Sequence, residues 1–168
     1  MSTDAQRIVS DTGPLISLEK LSQGYDFIRQ LYEKIFIPPA VLSEVAEGQF
    51  ANPQEYLQHY DISALIEVRA VSQPHALPEA ERLHDGETQA IQLALELQLP
   101  LLIEETVGRR VAQSVGIQIS GIAGQIIKAF RQNVISATDA HNKLNELFRA
   151  GRINRKIYDA LLAAISTA

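Results

Sequence analysis

Short apolar runs alternate with helix-forming segments along the chain, and this alternation limits the folds that it can adopt. Short apolar runs between helical segments are typical of buried strands. Strands that are joined by helices run parallel, with helices packed on both faces of the sheet. We therefore predict an α/β fold, a three-layer α/β/α sandwich around a central parallel sheet, followed by C-terminal helices. The predicted strands are 8–10, 35–37, 66–71, 101–103 and 117–119.

Helical periodicity of the apolar residues accounts for most of the remaining chain. Pro14 and Pro39 suit the first turns of two helices. Further helices are predicted at 25–32, 86–97, 106–115, 122–132, 137–149 and 155–165. The polar segment 48–60 and the proline-containing segment 73–78 predict irregular structure. Because no linker divides the chain, we expect one domain over 1–168, with a core at about 8–130 and a helical extension at about 131–168.

Composition excludes several kinds of site and location. The 168 residues include no cysteine, which rules out disulfides and thiolate zinc sites. The first residues are polar and no long apolar run follows them, so we expect no signal peptide and no membrane span. The expected location is therefore the cytoplasm.

Charge is distributed unevenly along the chain. Residues 1–120 hold 8 Lys+Arg and 17 Asp+Glu, a net charge of −9, whereas residues 121–168 hold 7 and 3, a net charge of +4. An acidic body with a basic tail is consistent with metal ligands in one part and contact with a polyanion in the other. Chance variation over a short tail would give the same difference.

Carboxylates directly follow two of the predicted strands. Asp11 follows the strand at 8–10, and Glu104 follows the strand at 101–103. Open α/β sheets place their ligands at the carboxyl ends of the strands, and neighbouring strands are roughly 5 Å apart. Two buried carboxylates at such a short distance repel each other, and a bound cation usually offsets this repulsion. Oxygen ligands suit Mg²⁺ or Mn²⁺, although Asp11 alone is also compatible with a cap of the following helix.

Other acidic residues add to this hypothesis. Glu87 lies on the apolar face of its predicted helix, where an unpaired carboxylate is costly, and Glu44 borders the apolar stripe of another helix. Of the pair Glu104 and Glu105, one is expected to be a ligand and the other a charge at the start of the next helix. Glu104 is preferred as the ligand because it continues the strand. Asp85 is predicted to be the N-cap of the Glu87 helix.

Four segments, taken in order, make the chain similar to a known family. They are VSDTGPLI at 9–16, IPPAVLSEV at 37–45, LHDGETQAI at 83–91, and LLIEE at 101–105, which runs into GRRVA at 108–112. Together they resemble the PIN-domain family, in particular a compact prokaryotic branch near the toxin components of toxin–antitoxin pairs. The likeness spans most of residues 8–130. It implies the α/β/α fold that the strand pattern predicts.

The resemblance also implies an activity, which is cleavage of RNA with Mg²⁺ or Mn²⁺ held by acidic side chains. The implied catalytic residues are Asp11, Glu44, Glu87 and Glu104, of which Asp11, Glu87 and Glu104 would bind the metal. Residues expected to orient these ligands are Ser10, Asp85 and Glu105. Residues expected to contact the RNA are Arg109, Arg110, Lys128, Arg131, Arg152 and Arg155. A small antitoxin is the protein partner that the resemblance suggests. The apolar helices are compatible with a homodimer and equally with a place in the core.

Two alternatives remain open. The fourth acidic position of this branch is usually aspartate, often doubled, and here it is Glu104-Glu105. Because Mg²⁺ requires nearly ideal octahedral geometry, the longer side chain is compatible with a catalytically weak domain that binds RNA or protein. A phosphatase or receiver-type domain would use Asp11 as a phosphate acceptor, with a second aspartate two residues later. Gly13 at that position argues against it.

Overall fold

The computed structural model describes residues 6–166. One sheet contains the strands β1 (Arg7–Ser10), β2 (Lys34–Ile37), β3 (Ile66–Val68), β4 (Leu101–Leu102) and β5 (Ile119–Ser120). The strand order is β3-β2-β1-β4-β5, and every neighbouring pair is parallel. The predicted central parallel sheet is therefore confirmed.

The sheet is covered on both faces. Successive side chains of a strand point to opposite faces, yet Ile8 and Val9 of β1 are both buried, as are Leu101 and Leu102 of β4. In the register of this central pair, Val9 lies beside Leu101 and Ser10 beside Leu102. The residues that follow β1 and β4 consequently emerge side by side at the carboxyl edge of the sheet.

Helices form the outer layers of the predicted α/β/α sandwich, which the structure confirms. Within the described residues they are α1 (Thr12–Lys20), α2 (Gly24–Arg29), α3 (Pro39–Ala46), α4 (Gln54–His59), α5 (Asp85–Leu97), α6 (Thr106–Ser114), α7 (Ile122–Arg131), α8 (Ala137–Arg149) and α9 (Arg155–Ser166). Helix α1 contacts α3, α7 and α8, and α5 contacts α3 and α6. A short 3-10 helix, Ala80–Arg82, precedes α5.

The C-terminal hairpin, α8 with α9 and the turn between them, packs on the body of the protein. Helix α8 contacts α1 and α7, and α9 contacts α7 and α8. The rings of Phe148 and Tyr158 stack with centroids 4.7 Å apart, which joins the two helices. Residues 1–5 and 167–168 of the predicted domain lie outside the described residues. Between residues 6 and 166, no helix is both long and apolar enough to cross a bilayer.

Several predicted local features were wrong. The segment 48–60 contains α4, because Tyr56 and Leu57 bury one side of a short helix despite the polar surroundings. The strand predicted at 66–71 ends at Val68, and the strand predicted at 117–119 is Ile119–Ser120. The N-cap of α5 is His84, because Asp85 already belongs to the helix.

Candidate functional site

Asp11 lies at the carboxyl end of β1, where its backbone continues the sheet. Its N–H donates to the Leu102 carbonyl over 2.9 Å, which brings it next to the end of β4. The residue is only 4% exposed, its side chain makes no helix-capping hydrogen bond, and its Oδ1 atom has no partner. The Ser10 hydroxyl donates to the Asp11 carbonyl over 2.8 Å, so Ser10 contacts the backbone of Asp11.

Glu87 approaches the same edge of the sheet from the first turn of α5. It is 6% exposed, and its Oε1 atom accepts the His84 backbone N–H over 3.1 Å. Its Oε2 atom has no partner. A Cβ atom on Gly108 would lie 2.9 Å from Glu87 Oε2, so the glycine allows the first turn of α6 to approach this carboxylate.

These two carboxylates contain the unpartnered atoms of the site. Among the described residues, Asp11 Oδ1 and Glu87 Oε2 are the only buried side-chain nitrogen or oxygen atoms that lack a hydrogen-bond partner. Buried polar atoms nearly always have a partner, and an unpaired buried charge is costly. Two acceptor oxygens without a donor require a proton or a cation. This observation fits a positively charged ligand at this edge of the sheet.

The pKa of Asp11 is raised from 3.8 to about 6. Burial is the largest cause, because removal from water disfavours the ionised form. The backbone of Thr12 lowers the pKa, and the negative charges of Glu44, Glu105 and Glu104 raise it, in that decreasing order. A cation in the site would reverse this shift and keep Asp11 ionised.

Glu87 and Glu105 face each other as a coupled pair. Burial and the Glu105 carboxyl group raise the pKa of Glu87 to about 7, with a smaller contribution from Asp11. For Glu105, burial opposes ionisation, but contacts with Glu87 and the Gly108 backbone lower its pKa. The Gly108 N–H donates to Glu105 Oε2 over 2.7 Å, so Glu105 is also the N-cap of α6. One proton, or one cation, between Glu87 and Glu105 therefore relieves their repulsion.

Glu44 is held at the site by its neighbours. The Thr12 hydroxyl donates to Glu44 Oε2 over 2.5 Å, and the Gly86 backbone N–H donates to Glu44 Oε1 over 3.1 Å. These contacts connect α3 to the starts of α1 and α5. Asp85, which was expected to orient the ligands, is exposed at the start of α5.

Glu104 has a different environment from the other carboxylates. Its Oε1 atom accepts the Ser17 hydroxyl over 2.7 Å and an Arg152 nitrogen over 3.3 Å. Its Oε2 atom accepts the Ile122 backbone N–H over 2.9 Å. Both oxygens of Glu104 are thus bonded to α1, α7 and the C-terminal hairpin, whereas Glu105 lies beside Glu87.

The side-chain positions do not yet form a complete metal site. Within residues 6–166, no group of three or more His, Cys, Asp or Glu side chains converges closely enough to hold a metal ion. Asp11, Glu87 and Glu105 nevertheless interact electrostatically with one another. The chemistry of these oxygens fits a hard divalent cation, provided that side-chain rotations bring the oxygens together when the ion binds.

Some of the basic residues expected to contact RNA lie near the acidic residues. Arg109 donates to the Ile103 carbonyl over 2.9 Å, and it lines a cavity of about 500 Å³ together with Glu104 and Arg152. Arg110 is exposed and makes a bidentate contact with Glu79, at 2.7 and 3.0 Å. This pair raises the pKa of Arg110 and lowers that of Glu79.

The remaining basic candidates lie elsewhere. Lys128 donates to the Tyr32 hydroxyl over 3.2 Å and lines a small cavity beside Pro100, which precedes β4. It therefore lies toward the amino edge of the sheet, opposite Asp11. Arg131 is the last residue of α7, and the first residue of that helix, Ile122, contacts Glu104. Arg131 therefore lies at the end of α7 that points away from the acidic residues. Arg155 is exposed on α9 and pairs with Asp159.

The sequence reasoning missed the residues that support the carboxylates. Ser17 is fully buried in α1, where it contacts Glu104 and Arg152. The signal was available, since the residues three before and four after Ser17, Pro14 and Leu21, are apolar and share its helix face. The roles of Thr12 and Gly108 had no comparable signal, because they depend on contacts with elements that are remote in sequence.

A comparison with family models decides the classification. The model described as PIN domain matches residues 7–167, nearly the whole chain. This chain belongs to the PIN-domain family. The resemblance indicated by the four sequence segments is thereby confirmed. PIN domains are generally nucleases, often in toxin–antitoxin systems, and they generally use divalent metal ions.

The chain is also similar to a solved structure. A PilT N-terminus domain protein from the hyperthermophilic archaeon Sulfolobus solfataricus P2 is 22% identical, with a TM-score of 0.49. The match covers 69% of this PIN domain and 86% of that chain. No functionally curated protein matches the sequence.

Proposed function

We propose that this PIN domain is a Mg²⁺- or Mn²⁺-dependent endoribonuclease whose centre is the acidic cluster of Asp11, Glu44, Glu87 and Glu105. The observation that carries the proposal is the pair of buried, unpartnered oxygens, Asp11 Oδ1 and Glu87 Oε2, at the carboxyl edge of the sheet. In each carboxylate one buried oxygen lacks a donor, whereas buried polar atoms that serve only the structure nearly always have one. The family assignment supports a nuclease.

The cation would be held by Asp11, Glu87 and Glu105, with Glu44 beside them. We favour Glu105 over Glu104 because both Glu104 oxygens are occupied by protein donors. When bound, a divalent cation at such a site lowers the pKa of water and offsets negative charge on a phosphate. Glu104 then serves mainly to fix α1, α7 and the C-terminal hairpin together.

The chain's own residues prepare this centre in two ways. The His84 and Gly108 backbone N–H groups orient Glu87 and Glu105 toward each other. Burial of Asp11 excludes water, which strengthens its attraction for a cation. No Cys is present in the chain and no side-chain nucleophile is required, because the attacking group in such hydrolysis is water.

Arg109 and Arg152 both line the cavity beside Glu104, and Arg109 is the better placed of the two to contact an RNA phosphate because Arg152 is paired with Glu104. Lys128 and Arg131 would contact only RNA that extends to the opposite edge of the sheet. A toxin role, restrained by a small antitoxin, follows from the frequent place of PIN domains in toxin–antitoxin systems. We also propose cytoplasmic action, where RNA is available, and the homodimer remains a prediction.

The nuclease proposal is tested by cleavage of a labelled single-stranded RNA of mixed sequence with Mg²⁺, with Mn²⁺ and with EDTA. We expect cleavage that requires the cation, that is lost in Asp11→Asn and Glu87→Gln, and that survives in Glu47→Gln. Glu47 is a matched control because it is an exposed glutamate at the end of α3, close to Glu44 in sequence. Equal cleavage by the native protein and Asp11→Asn would refute the assignment.

A catalytically weak binding module is the second candidate. It is favoured by the absence of any converged three-ligand group within residues 6–166, and by the engagement of Glu104 with Arg152. In that case the native protein would bind the same RNA without cleaving it under any of the three conditions. Binding that is unaffected by EDTA would identify the module.

A further inference from the structure

The C-terminal hairpin places one positively charged side chain, that of Arg152, beside the acidic cluster. Arg152 lies in the turn between α8 and α9, and its backbone N–H donates to the Leu147 carbonyl over 2.8 Å. Its side chain is 27% exposed, compared with 71% for Arg155 on the same hairpin. Burial of this degree for an arginine indicates a defined position rather than a solvated surface group.

The guanidinium of Arg152 has three partners near the site. It donates to the Ser17 hydroxyl over 2.9 Å, to the Gly13 carbonyl over 3.0 Å and to Glu104 Oε1 over 3.3 Å. Gly13 is two residues beyond Asp11, and Glu104 immediately precedes Glu105. The same side chain therefore contacts the segments that follow both central strands.

We propose that Arg152 is a positioning residue that holds Glu104 out of the cation site and docks the C-terminal hairpin beside that site. This proposal rests on the metal-dependent function proposed above. Without Arg152, Glu104 would retain the Ser17 hydroxyl on Oε1 and the Ile122 N–H on Oε2, but no positive charge would balance its own charge beside Asp11 and Glu105. Arg152 thus limits the negative charge of the centre. It also determines that Glu105, rather than Glu104, binds the metal cation.

The consequence is measurable as an affinity for Mn²⁺ alone, without any substrate. Replacement of Arg152 by glutamine removes a positive charge near the cluster and leaves the charge of Glu104 without its ionic partner. We expect Arg152→Gln to bind Mn²⁺ roughly 5- to 20-fold more tightly than the native chain. Arg152→Lys retains the charge and should bind Mn²⁺ as the native chain does. Arg155→Gln is the matched control, because it removes an exposed and well-screened arginine from the same hairpin.

A double-variant cycle separates positioning from a general effect of charge. If Arg152 acts through Glu104, then Arg152→Gln has little effect on Mn²⁺ affinity when Glu104→Gln is also present. An equal increase in both backgrounds, or no increase in the native background, would overturn the proposal. If Arg152 had only a structural role, Arg152→Gln would lower the thermal stability, and the effects of Arg152→Gln and Glu104→Gln on Mn²⁺ affinity would simply add in the double variant.

Failure of the metal-site hypothesis can be recognised separately. If neither the native chain nor any variant binds Mn²⁺, the function proposed above fails, and hydrogen exchange of α9 then decides the docking role of Arg152. We expect Arg152→Gln and Glu104→Gln each to increase exchange in α9 at least 5-fold relative to Arg155→Gln, because each variant breaks the partly buried ion pair that joins the hairpin to the body of the protein. Unchanged exchange in both variants would remove the docking role as well.

Discussion

The Gly86 backbone N–H donates to Glu44 Oε1 over 3.1 Å, and this contact ties the first turn of α5 to α3. A Cβ atom on Gly86 would lie 2.5 Å from Glu44 Oε2 and 2.7 Å from Glu44 Cδ. Residue 86 therefore has to be glycine for Glu44 to keep its position, although its backbone conformation is an ordinary helical one.

Gly86→Ala tests this relationship. The added methyl group cannot coexist with the Glu44 carboxylate, so either Glu44 rotates away or α5 shifts. Because the Glu44 carboxylate is the end of a flexible side chain, we expect it to rotate away and lose its contacts with Gly86 and Thr12, which makes Gly86→Ala roughly 1 kcal/mol less stable than a matched Gly→Ala variant in urea denaturation. Gly13→Ala is the control, because its Cβ would meet no atom closer than 3.7 Å. Equal stability of the two variants would show that the contact is unimportant.

The raised pKa values of Asp11 and Glu87 predict an unusual pH dependence for the metal-free protein. An acid whose pKa is raised on folding binds its proton more tightly in the folded state, so its contribution to stability is lost as pH rises through the folded value. That window runs from about 4, the ordinary value, to about 6 for Asp11 and about 7 for Glu87.

We expect the native protein in EDTA to lose roughly 1–2 kcal/mol more stability than Asp11→Asn between about pH 5 and about pH 8. The variant lacks the ionisable group at residue 11, so it should also be the more stable of the two at the higher pH. Thermal unfolding of both proteins at the two pH values provides the measurement. If the stability of both proteins changed equally with pH, burial would not raise the pKa of Asp11.

The location of the acidic residues could be predicted from sequence because it depends on residues that are close to them in the chain. Asp11 and Glu104 directly follow apolar runs, and Glu87 has apolar neighbours at helical spacing. The choice between Glu104 and Glu105 could not be predicted, because it depends on Arg152, which is 48 residues away from Glu104 and arrives only when the hairpin packs.

Short elements were the least predictable part of the fold. Helix α4 has only six residues and buries only Tyr56 and Leu57, so its periodicity is too brief to distinguish it from a loop. The start of α5 was misplaced by one residue because both His84 and Asp85 are polar residues ahead of the apolar stripe. The layered architecture was unaffected, because it depends on the order of the elements rather than on their ends.

Replacement of each adjacent glutamate distinguishes their roles. We expect Glu105→Gln to weaken Mn²⁺ binding by about 10-fold or more, because it removes the charge that faces Glu87. Glu104→Gln should change the affinity by less than about 3-fold, because Arg152 already neutralises that carboxylate. Calorimetric titration of the two variants gives the comparison. The opposite ranking would restore Glu104 as the ligand.

Ser17→Ala tests the support beneath Glu104. The Ser17 hydroxyl donates to Glu104 and accepts from Arg152, and the residue is fully buried. Its removal leaves both charged groups short of one hydrogen bond, which costs roughly 1–3 kcal/mol. Chemical denaturation of Ser17→Ala beside Ser43→Ala, an exposed serine on α3, is the appropriate measurement. A loss of stability no larger than that of the control would contradict the proposed support.

The most direct test of the acidic centre is calorimetric titration of Mn²⁺ into the native protein and into Asp11→Asn, at about pH 8, where the buried carboxylates are ionised. We predict saturable binding by the native protein that is lost or weakened by about 10-fold or more in Asp11→Asn, and unchanged binding in Glu47→Gln. Absence of binding in the native protein, or equal binding in Asp11→Asn, would contradict a cation site at the carboxyl edge of the sheet.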